Sequence, residues 1–440
     1  MENKEYDVII IGAGFAGITA ARELSQKGYS VQILEARDRL GGRTWFDHRM
    51  GRYLEMGGTW VHWFQPHVWA EITRYSLEVV ASPEPKKAYW VANGQRKEST
   101  PGELFDMLDE ANKALLADSR KYFPLPYQPL TSKNLKEIDY LTVSDQIDKL
   151  GLTKEIKDLM HSMWALNFNG PTDKAGLTQA MRWEALSDYN WQLMMDIAAS
   201  FKIKKGTKSL IEGIFSDAKA DVLYSKTVSK VEKTTDGFRI EIKDGEQFNG
   251  QTVISTLPLN VLKNIEFKPE LSSIKCTAAN EGQTSKGIKF WAKVKNFTTP
   301  FLAFAPADYP INYAQFEYIE GNDGLIVGFG ADADKLDPEN TAEVEQALRP
   351  LFPDIEVIDS TGHDWVADEF SGETWPMQKN NQLTEYLNEL QRPEGGLFIA
   401  GSDYANGWAG FIDGAIESAF NVTKKVDKYL KKETKKEFIL

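Results

Sequence analysis

An α/β fold is predicted, with a dinucleotide-binding domain interrupted by an inserted α+β domain. Three observations carry that prediction: a strand, Gly-rich turn, helix and strand at the start of the chain, a middle third of helical patterns, and a lone strand before one long helix at the end. At the start, Asp7 to Ile11 is β-branched and apolar, Ala16 to Leu24 has helical spacing and Val31 to Leu34 is apolar again, which makes a βαβ unit. Glu103 to Leu116, Thr142 to Leu150, Thr153 to Leu166 and Lys174 to Leu186 then repeat at the helical period with few strand signals. Ala220 to Leu223, Val228 to Lys233, Phe238 to Lys243 and Thr252 to Thr256 read as short strands, with Asp236-Gly237 and Asp244-Gly245 as hairpin turns. A second β block covers Gly287 to Val294, Phe301 to Phe304, Asn312 to Ile319 and Leu325 to Gly328. Gly396 to Gly401 reads as a strand and Gly410 to Leu430 as a helix. The dinucleotide domain is therefore assembled from residues 1–75, 205–270 and 385–440, and the substrate-binding domain from 76–204 and 271–384.

Composition narrows the function. The 440 residues, 42% hydrophobic and 12% aromatic, are enough for two cores. A balance of 51 Lys+Arg against 64 Asp+Glu gives a net charge of −13, which argues against nucleic acid and mildly favours a cationic substrate. Cys276 is the only cysteine, so no intramolecular disulfide or Cys-rich metal cluster is expected, and a cytoplasmic location is. The run Val8-Ile9-Ile10-Ile11 is too short to span a bilayer, so no membrane association is expected. None of His48, His62, His67, His161 and His363 has metal-site or triad spacing, so no metal is expected. The Lys-rich stretch after Asp427 reads as a solvated helix end.

Gly12-Ala13-Gly14-Phe15-Ala16-Gly17 follows a strand and opens a helix, and Glu35 ends the next strand. Gly12 permits the tight turn, Gly14 lets the backbone approach a pyrophosphate, Gly17 lets helix and strand pack closely, and Glu35 is placed for ribose hydroxyls. The helix N-terminus offers N–H groups and a positive dipole to the phosphates. These features leave FAD and NAD both open. Glu35-Ala36-Arg37-Asp38-Arg39-Leu40-Gly41-Gly42-Arg43 adds paired glycines and Arg43, a second set of donors for a diphosphate.

That run, followed by Glu55-Met56-Gly57-Gly58-Thr59-Trp60, resembles the flavin monoamine oxidase family after its fingerprint, as do Leu397 to Asp403 and Gly410 to Ala419. Within the family the chain is most similar to the bacterial nicotine and pseudooxynicotine amine oxidases, above all in Gly57 to Glu71, with further matches at Gly287-Ile288-Lys289, Asp364 to Asp368 and Asn406-Gly407-Trp408. The resemblance implies a Rossmann-type FAD-binding domain of the GR2-like flavoprotein kind. It implies that Asp403, with Gly401 and Ser402, holds the ribityl–phosphate region, and that Val228 reads adenine through its backbone. It places Ile412 at the start of a helix beneath the flavin, with Trp365 and Trp408 walling the ring. Lys289 matches a lysine beside flavin N5, and Trp375 and Phe411 match an aromatic cage around the amine. Tyrosine is frequent at the second cage position, so Phe411 leaves a more apolar slot. Thr374 stands where covalent relatives have a flavin-linking cysteine, which implies non-covalent FAD. Asn167, Tyr313 and Trp60 fall near substrate-pocket positions.

The expectation is an FAD-dependent amine oxidoreductase, homodimeric as in the family, with oxygen or a redox protein as acceptor. Its rivals are an FAD-dependent C–C dehydrogenase or desaturase and a non-catalytic flavin-bound scaffold. Lys289 together with Trp375 argues against both.

Overall fold

The computed structural model describes residues 5–437, with side chains described as far as Lys432, so much of the Lys-rich tail lies outside the described residues. The opening unit forms as its pattern requires: strand Glu5–Ile11, helix Phe15–Gln26 and strand Val31–Leu34. Its first strand sits mid-sheet between Val31–Leu34 and Gln247–Ser255, parallel to both. Asp221–Leu223 pairs parallel with the outer side of Val31–Leu34. The end of Gln247–Ser255 pairs parallel with the lone strand Leu397–Ile399, while its beginning forms a hairpin with Phe238–Ile242. Val228–Lys233 and Glu266–Lys268 complete eight strands.

The last helix, Ile412–Glu437, packs against Phe15–Gln26. Two buried contacts tie this layer to the helix Pro66–Arg74. Arg22 grips Glu71 with both guanidinium nitrogens, each at 2.6 Å, in the bidentate geometry that suits a carboxylate. Asp413 Oδ1 accepts from the first N–H groups of that helix, at His67 (2.6 Å) and Val68 (2.9 Å). Sequence runs far apart along the chain are thus bonded to one another.

The second sheet has seven strands, in the order Val357–Gly362, Ile288–Val294, Asp323–Gly330, Tyr313–Glu320, Phe301–Phe304, Lys87–Ala92 and Gln95–Ser99. Three were not foreseen, namely the Lys87–Ala92 and Gln95–Ser99 hairpin and Val357–Gly362. The hairpin carried a legible signal in its Asn93-Gly94 turn. Both faces of this sheet are covered. One face packs Trp291, Val327 and Phe329 against the predicted helices, seen as Pro101–Leu115, Val143–Lys149, Lys154–Phe168 and Leu177–Leu186. The other packs Phe290, Ile326 and Phe316 against Val344, Leu348 and Phe352. Strand Ile288–Val294 therefore lacks a solvent face, and Lys289, which in a half-exposed strand would point to water, is only 4% exposed.

Candidate active site

A cavity of about 400 Å³ opens where the parallel strands end and reaches the inner face of the seven-stranded sheet. The ends of parallel strands are where α/β folds place ligands. Gly12 has φ +102°, and a Cβ there would lie 2.6 Å from Thr256 Oγ1. Gly17 faces helix packing instead of the cavity: a Cβ on it would stand 2.0 Å from the Gly12 carbonyl oxygen. Gly14, Phe15 and Ala16 line the cavity, and no side chain caps the helix that begins there, leaving its first N–H groups for an anion. Glu35 accepts from the Ala13 (2.6 Å) and Arg37 (2.8 Å) N–H groups, which fixes its carboxylate at the wall. Ala36, Gly42 and Val228 share that wall.

Two arginines differ from simple phosphate ligands. Arg37 lines the cavity, but its guanidinium bonds Asp368 (2.5 Å) and Ser371 (2.9 Å). Arg43, expected to turn its charge on a diphosphate, is bonded to Glu373 (2.6 Å), the Thr374 carbonyl (3.0 Å), Ser402 (3.2 Å) and Asp403. Burial opposes its charge, but Asp403 and Glu373 outweigh burial and hold its pKa above the ordinary value. Burial and the Asp403 charge together push Glu373 far up, whereas Arg43 overcomes burial to pull Asp403 down. Asp403 itself does not reach the cavity. One oxygen is on Arg43 and the other accepts from the Leu259 N–H at 2.8 Å, a fastening behind the wall. Gly401 and Ser402 do line it.

At the other end lie Lys289, Trp375, Phe411, Gly57, Gly58, Thr59, Trp60, Asn167, Tyr313, Trp365 and Ile412. Lys289 Nζ donates to the Gly57 carbonyl (2.8 Å) and to Thr59 Oγ1 (2.6 Å), and stands 5.2 Å from the centre of the Trp60 ring. Burial pulls its pKa down to about 7, with Glu55 and Glu317 opposing and Lys202 adding to the fall. Glu55, buried and bonded to Thr207, is pushed up to about 7 by the same loss of solvent. Trp375 is fixed by its indole N–H on the Asn167 carbonyl (2.9 Å), and Trp365 by its own on the Met56 carbonyl (3.0 Å). Phe411 is braced edge-on by Trp183 (5.0 Å) and Trp408 (5.1 Å). Trp408 is fully buried behind it and does not border the cavity, so it supports a wall residue without being one.

Sequence reasoning missed Trp183, Phe329 and Gln315 on the wall. Helix Leu177–Leu186 is buried at every position, so nothing in its pattern separates a wall tryptophan from a core one. Gln315 had a signal: Tyr313, Gln315 and Glu317 alternate on one strand, three polar-capable side chains on a face that should be apolar. Among the described residues no group of three or more His, Cys, Asp or Glu is arranged to hold a metal, and no helix is long and apolar enough to cross a membrane.

A glycine turn without side chains, an uncapped helix start and a strand-end carboxylate fit a dinucleotide, and the same cavity continues to a buried lysine between aromatic rings, so the site suits a flavin enzyme. Residues 15–426 match the family described as flavin containing amine oxidoreductase, and the chain belongs to that family. It is 39% identical to a pseudooxynicotine dehydrogenase of a Pseudomonas species over 98% of this chain and 88% of that one. It is 36% identical to a nicotine dehydrogenase of Pseudomonas putida over 97% and 89%. Among solved structures, putrescine oxidase bound to putrescine superposes with a TM-score of 0.84 at 20% identity, covering 97% of this chain and 99% of that one. Cyclohexylamine oxidase from Brevibacterium oxydans gives 0.81 at 19%, covering 97% and 100%. At such identities these two speak for the fold. The chain is an FAD-dependent amine oxidoreductase.

Proposed function

We propose that this protein takes a neutral primary, secondary or tertiary amine into the slot between Trp375 and Phe411 and removes hydride from the carbon next to nitrogen. The observation that carries this reading is the buried Lys289 facing the same cavity as those two rings. FAD, held along Gly12, Gly14, Glu35 and Gly42, would supply the two-electron acceptor for that hydride, at N5, with oxygen, giving peroxide, or a redox protein as the final acceptor. The protein's own part is to exclude water, to align the amine between flat faces that favour a nitrogen gaining positive charge, and to hold a proton or a water at Lys289 Nζ. No dedicated base is required, because the nitrogen lone pair drives hydride departure. The resulting imine hydrolyses in water to a carbonyl compound and an amine. Residues 1–75, 205–270 and 385–440 serve the cofactor in this reading, and 76–204 and 271–384 the substrate.

Addition of a panel of amines to the yellow protein without oxygen is expected to bleach the flavin, and admitting oxygen then reports the acceptor through peroxide. Bleaching by none of them would overturn the reading in favour of C–C dehydrogenation or a silent scaffold. Trp375→Ala should keep FAD but lower kcat/KM for the best amine by roughly ten- to a hundredfold, as loss of alignment does. Unchanged kinetics would remove Trp375 from the slot.

The proposal extends to attachment and setting: FAD is held without a covalent bond, since Thr374 occupies the position before the cage tryptophan, and the protein is a cytoplasmic homodimer. Acid precipitation should leave the yellow colour in the supernatant, and a yellow pellet would refute the non-covalent reading. Sedimentation velocity tests the dimer.

A further inference from the structure

Three polar atoms at the amine end of the cavity close a triangle. Lys289 Nζ donates to the Gly57 carbonyl at 2.8 Å and to Thr59 Oγ1 at 2.6 Å, and Thr59 Oγ1 donates to the Gly57 carbonyl at 3.0 Å. Lys289 and Thr59 are 4% and 3% exposed, and both border the cavity. The backbone beneath the triangle is pinned: the Gly58 N–H bonds the Arg43 carbonyl at 3.1 Å, and a Cβ on Gly57 would stand 2.0 Å from that same oxygen. The flanks are aromatic. Lys289 Nζ lies 5.2 Å from the centre of the Trp60 ring and 5.5 Å from that of Trp291, and their indole N–H groups are spent on Ser82 (3.2 Å) and on the Glu55 carbonyl (3.0 Å).

The direction of each edge follows from the atoms. A carbonyl oxygen only accepts, so the Thr59 hydroxyl proton goes to Gly57, and what Thr59 turns toward the lysine is a lone pair. Lys289 must therefore supply a proton along both of its edges, whether it is charged or neutral. An ammonium has one N–H left over, and a neutral amine has one lone pair. In either state this free valence is the one corner of the tetrahedral nitrogen not taken by Cε or by the triangle. Gain or loss of a proton is confined to that corner: on neutralisation the proton leaves to water and the nitrogen keeps the electron pair.

We propose that Thr59 is a positioning residue: with the Gly57 carbonyl it holds two Nζ–H groups of Lys289 in both charge states, so that the proton this lysine exchanges is the one facing the cavity. This rests on the amine-oxidising reading above and assigns the side chain that aims its lysine.

The test uses the FAD-loaded protein without substrate. Burial brings the Lys289 pKa down to about 7, with Glu55 and Glu317 opposing and Lys202 adding to the fall. A charge switching on the cavity wall shifts the absorbance of a flavin bound in that cavity, so titration of the absorbance should show a step near 7. The part of the step lost in Lys289→Met is the lysine's, and Glu55, also raised to about 7 but not on the wall, accounts for any remainder. Thr59→Val keeps the bulk and removes the lone pair. An ammonium is the stronger donor, so losing its acceptor disfavours the charged form, and the lysine's step should move down by about one pH unit. Thr59→Ala should move it in the same direction, whereas Thr59→Ser keeps the oxygen and should leave the step in place. A role confined to packing predicts the reverse order, with valine harmless and serine, which loses a methyl group, disturbing. A titration with no part lost in Lys289→Met, a step unmoved in yellow Thr59→Val or Thr59→Ala protein, or a serine variant shifted as far as valine overturns the inference. Loss of flavin from both oxygen-free variants overturns it too, by giving the hydroxyl to the cofactor. None of these outcomes involves an amine, so the amine reading stands or falls by the bleaching experiment alone.

Discussion

Arg43→Ala is expected to give a protein that purifies without yellow colour and unfolds at much lower denaturant concentration. Removal of the guanidinium leaves the Glu373 and Asp403 carboxyl groups facing one another in a site where Glu373 is fully buried and Asp403 nearly so. Stripping one partner from such a buried cluster costs on the order of 3–5 kcal/mol. The damage also reaches the cavity, because Arg43 joins the Gly41-Gly42 turn, the Thr374 carbonyl beside Trp375 and Ser402 on the opposite wall. Denaturant unfolding and flavin absorbance after gel filtration check both halves. A stable, fully yellow protein would show that this cluster is not what keeps the walls together.

Lys289→Met is expected to do the opposite: FAD stays bound, and the reaction slows by roughly a hundredfold, the scale of a lost proton-handling group. The pH profile is the sharper readout. Burial brings the Lys289 pKa from 10.5 to about 7, so its change of charge should leave an inflection near pH 7, beside the rise that deprotonation of the substrate amine itself produces. With methionine in place the inflection near 7 should vanish while the rise set by the substrate amine remains. Stability follows by linkage. Between about 7 and 10.5 the unfolded chain binds more protons at this site than the folded one, so its contribution to stability rises with pH across that window. Glu55 works in the reverse sense, since its pKa is raised from 4.5 to about 7 and its contribution falls as pH increases between those values. Stopped-flow reduction and reoxidation at several pH values check the rate, and an unchanged profile would take Lys289 out of the chemistry.

The parts of the molecule legible in the sequence were those where local pattern and chemistry coincide. The Gly12 to Gly17 turn announces both a backbone shape and a ligand, and the helices between 101 and 186 formed within a few residues of their apolar periodicity. Lys289 needed more. Its strand looked like an ordinary surface-bearing one until the residues on both sheet faces were seen to be covered, which is a tertiary fact. Asp403 was placed by resemblance on the cofactor, and the direction of its side chain at this turn is set by partners 360 and 144 residues away, Arg43 and Leu259. Trp408, expected on the wall, braces Phe411 from behind, and Trp183 lines the cavity without having been foreseen there, for the same reason: a tryptophan lining a wall and one bracing it from behind have the same local sequence signature.

Asp413 at the start of helix Pro66–Arg74, and strand Leu397–Ile399 beside Gln247–Ser255, have a consequence for how the protein is made. On the ribosome, the nucleotide-binding glycines emerge hundreds of residues before Ser402 and Phe411, which close the opposite side of the pocket. A nascent chain thus carries the first half of a clasp with nothing to shut against. Closure of the pocket is accordingly expected only once strand Leu397–Ile399 and Ser402 have folded back upon the beginning of the chain.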